Sequence, residues 1–349
     1  MSEERTLDHP ANEAFPLAAR RRGKRVVAIT GAATFLGENL IGFLEDDESI
    51  ERIVGIDTAA PQTAQEKTRL YPIDLSQSAA EDHLGEVLTA EAVDTLVHLS
   101  FLPSPTHASA YCHEFESVGT MRVLNACRRS HVNKFVMWSQ SVLYGARPDN
   151  PNFLSEDHPL RARSAPFFRD KIEAEEEALR FGAPGRGRSV TILRTAPIVG
   201  PSVDNYLTRY LSHRVVPTVL GFDPLWQFLH EADAVRAFRL AVLRDFSGVF
   251  NVAPDGVLPL GTAIRLAGRS PLPLPRSLAN TFVGALWLAQ VAEAPAAFID
   301  YLQYLCVVDG AELERACGFR PLYTSREALI EYAAAQHLRD VRLLSETPA

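Results

Sequence analysis

The sequence predicts an α/β protein built on a doubly wound parallel sheet, and three observations carry that expectation. Short apolar, β-branched runs alternate with stretches of helical periodicity from Arg25 onward, which is the pattern of βαβ crossovers. The first run, Arg25 to Ile29, ends at a glycine turn and passes straight into a helical pattern. The next run, Arg52 to Ile56, closes on an acid, Asp57, twenty residues after Gly37. At 349 residues, 46% hydrophobic and 22% charged, the chain can hold one large core or two unequal ones.

Taken in order, Arg25 to Ile29 reads as a buried strand, and Leu36, Leu40, Ile41 and Leu44 recur at helical spacing behind it. Gly31 permits a turn closed to residues with a Cβ, and Gly37 lets helix pack closely on strand. Thr30, Gly31, Thr34, Phe35, Leu36 and Gly37 therefore form a candidate cradle for a pyrophosphate, at a helix start whose free N–H groups face an anion. Thr34 stands where the middle glycine of a dinucleotide fingerprint would be, so its Cβ takes up room while its hydroxyl offers a donor. Asp57 would accept from a ribose 2′-OH and repel a 2′-phosphate, which favours NAD over NADP.

Leu70 to Leu75 reads as a short strand, with Asp74 placed either to reach an adenine amino group or to cap a helix over Ser76 to Val87. Val93 to Ser100 is the fourth strand, Phe115 to Arg129 a helix, Lys134 to Ser139 the fifth strand and Ser189 to Arg194 the sixth. Gly248 to Val252 is a further strand. Leu260 to Gly268, Asp309 to Cys317 and Thr324 to Gln336 read as helices, and Pro271 to Pro275 as a proline-rich loop. Ligands of such a sheet are expected at the carboxyl ends of its strands.

The residues Thr30-Gly31 with Gly37, Asp57, Asp74-Leu75, Val97-His98-Leu99, Gly119-Thr120, Tyr144-Gly145, Lys171, Leu193-Arg194, Gly200-Pro201 and Phe228-Leu229-His230 with Asp233 fall in a familiar order. From Arg25 to Tyr332 the chain resembles the extended short-chain dehydrogenase/reductases, in particular the NAD-dependent epimerase/dehydratase group, whose best-known members act on nucleotide sugars. The resemblance implies a Rossmann-like domain over residues 25–194, to which some later segments return, and a smaller substrate-covering region over 195–335. Residues 1–24 and 336–349 are expected to be tails. It also implies cofactor contacts at Leu75, Leu99, Ser100 and Lys171, and a homodimer packed through the helices from Phe115 and Phe167.

The family's hydride chemistry uses a tyrosine four residues before a lysine, a serine or threonine, and a supporting asparagine. The lysine lowers the tyrosine's pKa so that its phenol passes a proton near neutral pH. Here Lys171 matches the lysine, but the tyrosine position holds Phe167, the serine position Gln140 and the asparagine position Glu116. Phenylalanine has no proton to give, whereas the Gln140 amide can still donate to a substrate oxygen. Tyr144, His98, Asp170 and Glu116 are other groups able to carry a proton.

The substrate side departs as well. Pro197 and Gln227 replace residues that commonly meet a nucleotide sugar, and Phe101, Phe168, Phe222 and Trp226 suggest a more apolar pocket. Phe101, Gln140, Tyr144, Phe167 and Trp226 are expected in its wall. Arg194 is available either for an anionic group or for a structural ion pair.

A formal charge of −8 gives no electrostatic reason to bind nucleic acid. Cys112, Cys127, Cys306 and Cys317 lack metal-ligand or CxxC spacing and read as reduced packing residues; no metal is expected. The polar stretch before Lys24 lacks a secretion signal's apolar segment, and Leu278 to Ala292 is too short to span a bilayer, so the protein is expected in the cytoplasm. Three readings stand: an enzyme with a rearranged proton relay acting on a small molecule of unknown identity, a catalytically inactive NAD sensor or scaffold, and a structural protein without nucleotide.

Overall fold

The computed structural model describes residues 24–183, 187–289 and 294–346; all of the expected N-terminal tail except Lys24 lies outside them. The first part alternates β1 (Arg25–Thr30), α1 (Phe35–Glu45), β2 (Ile50–Ile56), β3 (Thr68–Tyr71), α2 (Ala80–Ala90), β4 (Thr95–His98), α3 (Ser109–His113), α4 (Gly119–Arg129), β5 (Lys134–Gln140), α5 (Pro166–Phe181) and β6 (Ser189–Thr195). Then follow β7 (Ile198–Val199), α6 (Tyr206–Ser212), β8 (Val215–Val219), β9 (Leu225–Trp226), β10 (Leu229–His230), α7 (Glu231–Leu243) and β11 (Gly248–Val252). The last elements are β12 (Leu258–Pro259), α8 (Leu260–Leu266), β13 (Ser270–Leu274), α9 (Arg276–Leu288), α10 (Ala311–Cys317) and α11 (Ser325–Glu346).

Seven of the strands form one parallel sheet in the order β11-β6-β5-β4-β1-β2-β3. β1 shows why both faces need covering. Val27 and Ile29 enter one core with Leu40, Phe238 and Leu313, while Val26 and Ala28 enter another with Leu84, Leu124 and Phe181. Alternation along a strand buried on both sides sends successive apolar residues to opposite helical layers. Strand order reverses between β1 and β4, where Thr30 lies in register with His98, and a crevice at the carboxyl ends follows from that reversal.

The helix expected from Phe115 to Arg129 starts earlier and is not uniform: α3 and α4 are joined by a π-helical turn, Glu114–Val118. The inserted residue rotates the helix face, and Glu116 in that turn is fully buried. Beyond β6, a third core gathers Leu207, Leu211, Phe228, Ile264 and Leu329 around α6, α8 and α11.

Four local expectations are corrected. β3 is Thr68–Tyr71 rather than Leu70 to Leu75, and α2 starts at Ala80 rather than Ser76, because Asp74 and Ser76 form a turn first. Pro271 to Pro275 is mostly strand, since Ser270–Leu274 pairs in parallel with β8. A two-stranded ribbon leaves each strand a free edge, where a missing proline N–H costs nothing. α11 continues to Glu346, where a tail from 336 was expected. Among the described residues no helix is long and apolar enough to cross a membrane, and all four cysteines are free.

Candidate active site at the sheet switch point

The glycine turn after β1 is set by two close approaches. Gly31 has φ +72°, and a Cβ there would stand 2.8 Å from the Leu99 carbonyl carbon and 2.9 Å from the Ser100 nitrogen. A Cβ on Gly37 would meet the Gly31 oxygen at 2.1 Å. Leu99 and Ser100 are themselves buried, so they act through backbone, as the floor under the turn. Thr30 likewise faces inward: its hydroxyl bonds His98 Nδ1 at 2.7 Å, and His98 Nε2 reaches the Thr120 hydroxyl at 2.8 Å.

Thr34 is the N-cap of α1. Its Oγ1 donates to the Gly31 oxygen at 2.6 Å and accepts from the Gly37 N–H at 3.2 Å, so the hydroxyl serves the helix rather than a phosphate. Gly37 and Glu38 amides are thereby bonded within the turn, while the helix offers no partner to the amides of Phe35 and Leu36. Those two N–H groups, with the positive end of α1, suit an anion. Asp57 closes the arrangement at the end of β2: one carboxylate oxygen accepts from the Ala33 N–H at 3.0 Å, the other from Thr58 at 2.7 Å. Asp57 borders a hollow with Gly55, Ala60 and Tyr71 beside the carboxyl ends of β2 and β3. These residues fit a dinucleotide: a turn that a Cβ would fill, free amides at a helix start, and a fixed acid one strand away.

Asp74 does not cap α2. Its carboxylate accepts from the Ser76 N–H and hydroxyl at 2.9 and 2.7 Å, in a turn that precedes α2 rather than capping it. Leu75 is buried, and its carbonyl accepts from Arg122 at 2.9 Å.

At the relay position, the Lys171 ammonium donates to Glu116 Oε1 at 2.5 Å and sits 3.7 Å from the centre of the Phe167 ring. Both charges are buried, and the same Glu116 oxygen accepts from the Leu102 N–H at 2.7 Å. Burial pushes the Glu116 carboxyl up, and the Lys171 charge opposes it. The lysine that would assist a phenol is therefore held by an acid on one side and an aromatic face on another.

The cleft itself measures about 180 Å³ and opens between the start of α1, the segment after β4, the end of β5 and the stretch after β6. Of the five residues expected in its wall, Phe101 and Gln140 line it. Tyr144, Phe167 and Trp226 do not. Tyr144 is fully buried, donating to Asn251 Oδ1 at 2.9 Å and accepting from Arg194 at 2.7 Å; burial pushes its phenol up to about 12. Arg194 forks onto Glu175 through Nε at 3.0 Å and Nη2 at 2.5 Å, so the structural ion pair holds rather than anion binding. Phe167 packs on Phe168, Tyr206 and Phe298, and Trp226 donates to the Tyr301 carbonyl at 3.0 Å under the C-terminal core.

Among the lining residues that escaped the sequence reading are Trp138 and Tyr206. Trp138 stands two before Gln140 on β5, hence on the same strand face, and that spacing was the available signal. Tyr206, brought in by α6, had no such signal. Its phenol is raised by burial and stays protonated. The Gln140 carboxamide oxygen is buried with no hydrogen-bond partner among the described residues, a state that costs about 1–3 kcal/mol.

A glycine turn, a capped helix start and an acid on the neighbouring strand, set at the switch point of a parallel sheet, define a dinucleotide-binding fold of the Rossmann type. Residues 27–253 match the model of the NAD dependent epimerase/dehydratase family, and the chain belongs to that family. It is 32% identical over 326 residues to an uncharacterized protein of Mycobacterium tuberculosis, spanning 91% of this chain and 85% of the relative. It is 26% identical over 287 residues to the 3-diazoavenalumate denitrifying reductase of a Streptomyces species, spanning 78% of this chain and 92% of that protein. Among solved structures, MoeE5 in complex with UDP-glucuronic acid and NAD superposes with TM-score 0.69 at 24% identity, over 90% of this chain and 99% of that one. UDP-glucose 4-epimerase of Thermotoga maritima superposes with TM-score 0.69 at 17% identity, over 91% and 99%. These likenesses establish the fold.

Proposed function

We propose that this chain binds NAD at the carboxyl edge of its sheet and acts as a reductase on an acceptor that takes no proton from residue 167. The observation that carries the reading is the buried trio of Lys171, Glu116 and Phe167. A phenol is absent, and the lysine is engaged. Proton relay by a positioned acid typically contributes a hundred- to ten-thousand-fold in rate, so chemistry that depends on it loses about that much here. Bound at this site, NAD in its reduced form supplies a hydride. An electron-poor or cationic acceptor takes up hydride with no accompanying proton, and a relay is then dispensable.

Under this reading Gly31, Phe35, Leu36 and Asp57 hold the dinucleotide, and the segment from about Thr195 onward covers the acceptor. Phe101, Trp138 and Tyr206 exclude water from the cleft, and Gln140 orients the bound molecule. The Streptomyces relative, a reductase by name and similar over nearly its whole length, supports reduction over epimerisation. Loss of catalysis, leaving an NAD sensor, is the competing reading, favoured by the same buried ion pair.

The test is direct. Denatured protein should release a dinucleotide, and the purified chain should bind NAD more tightly than NADP; Asp57→Ala should weaken NAD and narrow that preference. Equal affinity of the unmodified protein for both cofactors removes Asp57 from the ribose site, and oxidation of bound NADH by no electrophile in a panel leaves the sensor.

A further inference from the structure

We infer that the protein holds one divalent cation of the zinc type outside the cleft, on His113, Asp170 and Glu173, and that the ion ties α3 to α5. None of the three lines the cleft, so the inference stands apart from the function proposed above. The first observation is geometry. His113 is the last residue of α3, and Asp170 and Glu173 lie three apart on α5, hence on one face. His113 Nδ1 stands 3.1 Å from Asp170 Oδ1 and 3.9 Å from Glu173 Oε2, and one ligand atom from each of the three lies within 4.8 Å of the others. Tetrahedral zinc, with ligands at about 2.0–2.2 Å, sets its ligand atoms about 3.3–3.6 Å apart. A small movement of the two outer side chains therefore seats the ion.

The second observation is charge. The Asp170 side chain is fully buried, and its Oδ2 has no hydrogen-bond partner among the described residues. A buried carboxylate needs a counter-charge. The adjacent Lys171 is committed to Glu116, and the half-exposed Arg169 keeps its Nε 3.8 Å from Asp170 Oδ1, beyond hydrogen-bond reach. That leaves His113, whose imidazole is charged only when protonated. The third observation is access and support. The side chains of His113 and Glu173 are 46% and 36% exposed, so an ion enters from their side and takes the place of the proton between Nδ1 and Oδ1, with no opening of the core. Ser117 donates to Glu173 Oε2 at 3.1 Å and so orients that ligand. One imidazole nitrogen with two carboxylate oxygens suits zinc over magnesium or calcium, which take oxygen ligands, and leaves a fourth position for water. His113 directly precedes the π turn Glu114–Val118 and Asp170 directly precedes Lys171, so the ion braces the two segments that carry the Lys171–Glu116 pair.

The experiment strips the full chain, without a histidine tag, with a chelator and titrates zinc chloride by calorimetry and cobalt chloride by visible absorption. The proteins are the wild type, His113→Gln, Glu173→Gln and, as a control on an exposed histidine elsewhere, His131→Gln. One zinc ion per chain should bind at about micromolar concentration, and cobalt should give the strong visible bands of tetrahedral coordination. His113→Gln and Glu173→Gln should each weaken zinc at least about tenfold, while His131→Gln should not. Zinc should also raise the melting temperature of the wild type and leave that of His113→Gln unchanged. Both ligand variants alter part-exposed side chains, and melting in chelator verifies that each is folded. Zinc binding that survives both substitutions shows adventitious ions only and overturns the inference. So do half an ion per chain, which places the ligands between two copies, magnesium binding as tight as zinc, and no zinc binding below millimolar concentration.

Discussion

At the scale of single residues, the site is defined by a substitution and its compensation. Phe167 was visible in the sequence as a missing tyrosine, and Glu116 as a missing asparagine, but their common consequence was not. The two lie on different helices, and only the π turn of Glu114–Val118 brings Glu116 against Lys171. Restoring one position therefore does not restore the relay. Phe167→Tyr alone should show no NAD reduction with 2-propanol, because the ammonium that would lower the new phenol's pKa remains bonded to Glu116. Phe167→Tyr with Glu116→Asn should turn over faster than the single variant; robust activity of the single variant would show that Lys171 is free in solution. His98 allows a test by pH. Burial holds its imidazole down at about 3 against an ordinary 6.5, so it stays neutral between its two hydroxyl partners. The unfolded chain takes up that proton below 6.5 and the folded one does not. Stability should thus fall as pH drops from 6.5 toward 3, with a slope approaching about 1.4 kcal/mol per unit from this residue. Denaturant titrations of His98→Gln should show a shallower acid limb; an unchanged slope would place the proton uptake elsewhere.

At the scale of elements, what could be read in advance were strands with strong local signatures, and what could not were elements fixed by a distant partner. β1, β5, β6 and β11 lie within a residue of their expected bounds, since each is a short apolar run closed by polar or glycine positions. β13 was read as a loop because its prolines speak against strand, and only pairing with β8 makes it one. Tyr144 was read as a pocket residue from its place near a strand end, and Arg194 as either an anion site or a structural ion pair. They join β6, β11 and α5 through Asn251 and Glu175, partners far away in sequence. The turn between β1 and α1 is the element on which cofactor binding depends. In Gly37→Ala the new methyl would collide with the Gly31 oxygen, so α1 would have to move away from the turn. That variant should lose several degrees of melting temperature and bind NAD at least tenfold more weakly, measured by calorimetry. Wild-type affinity would mean that the pyrophosphate does not rest on α1.

At the scale of the whole molecule, the sheet and the C-terminal core meet over the cleft, and the outer surface of α3, α4 and α5 lies on the sheet's other side from α1 and α7. That surface leaves large apolar side chains in solvent: Tyr111, stacked on Phe115 at 5.7 Å, Met121 on α4 and Leu179 on α5. Scattered apolar residues need no partner, but three on adjoining helices are the material of a helix-to-helix interface. A formal charge of −8 works against self-association, so an interface must gain its stability from apolar burial. The homodimer expected from the resemblance would pack these helices against their counterparts, making a two-fold interface in which each residue meets the same patch. Light scattering should then give twice the chain mass at micromolar concentration. Met121→Asp should shift it to the mass of one chain while NAD binding persists, because α4 does not line the cleft. A single-chain mass for the unmodified protein would leave Tyr111, Met121 and Leu179 as ordinary exposed residues and end the dimer proposal.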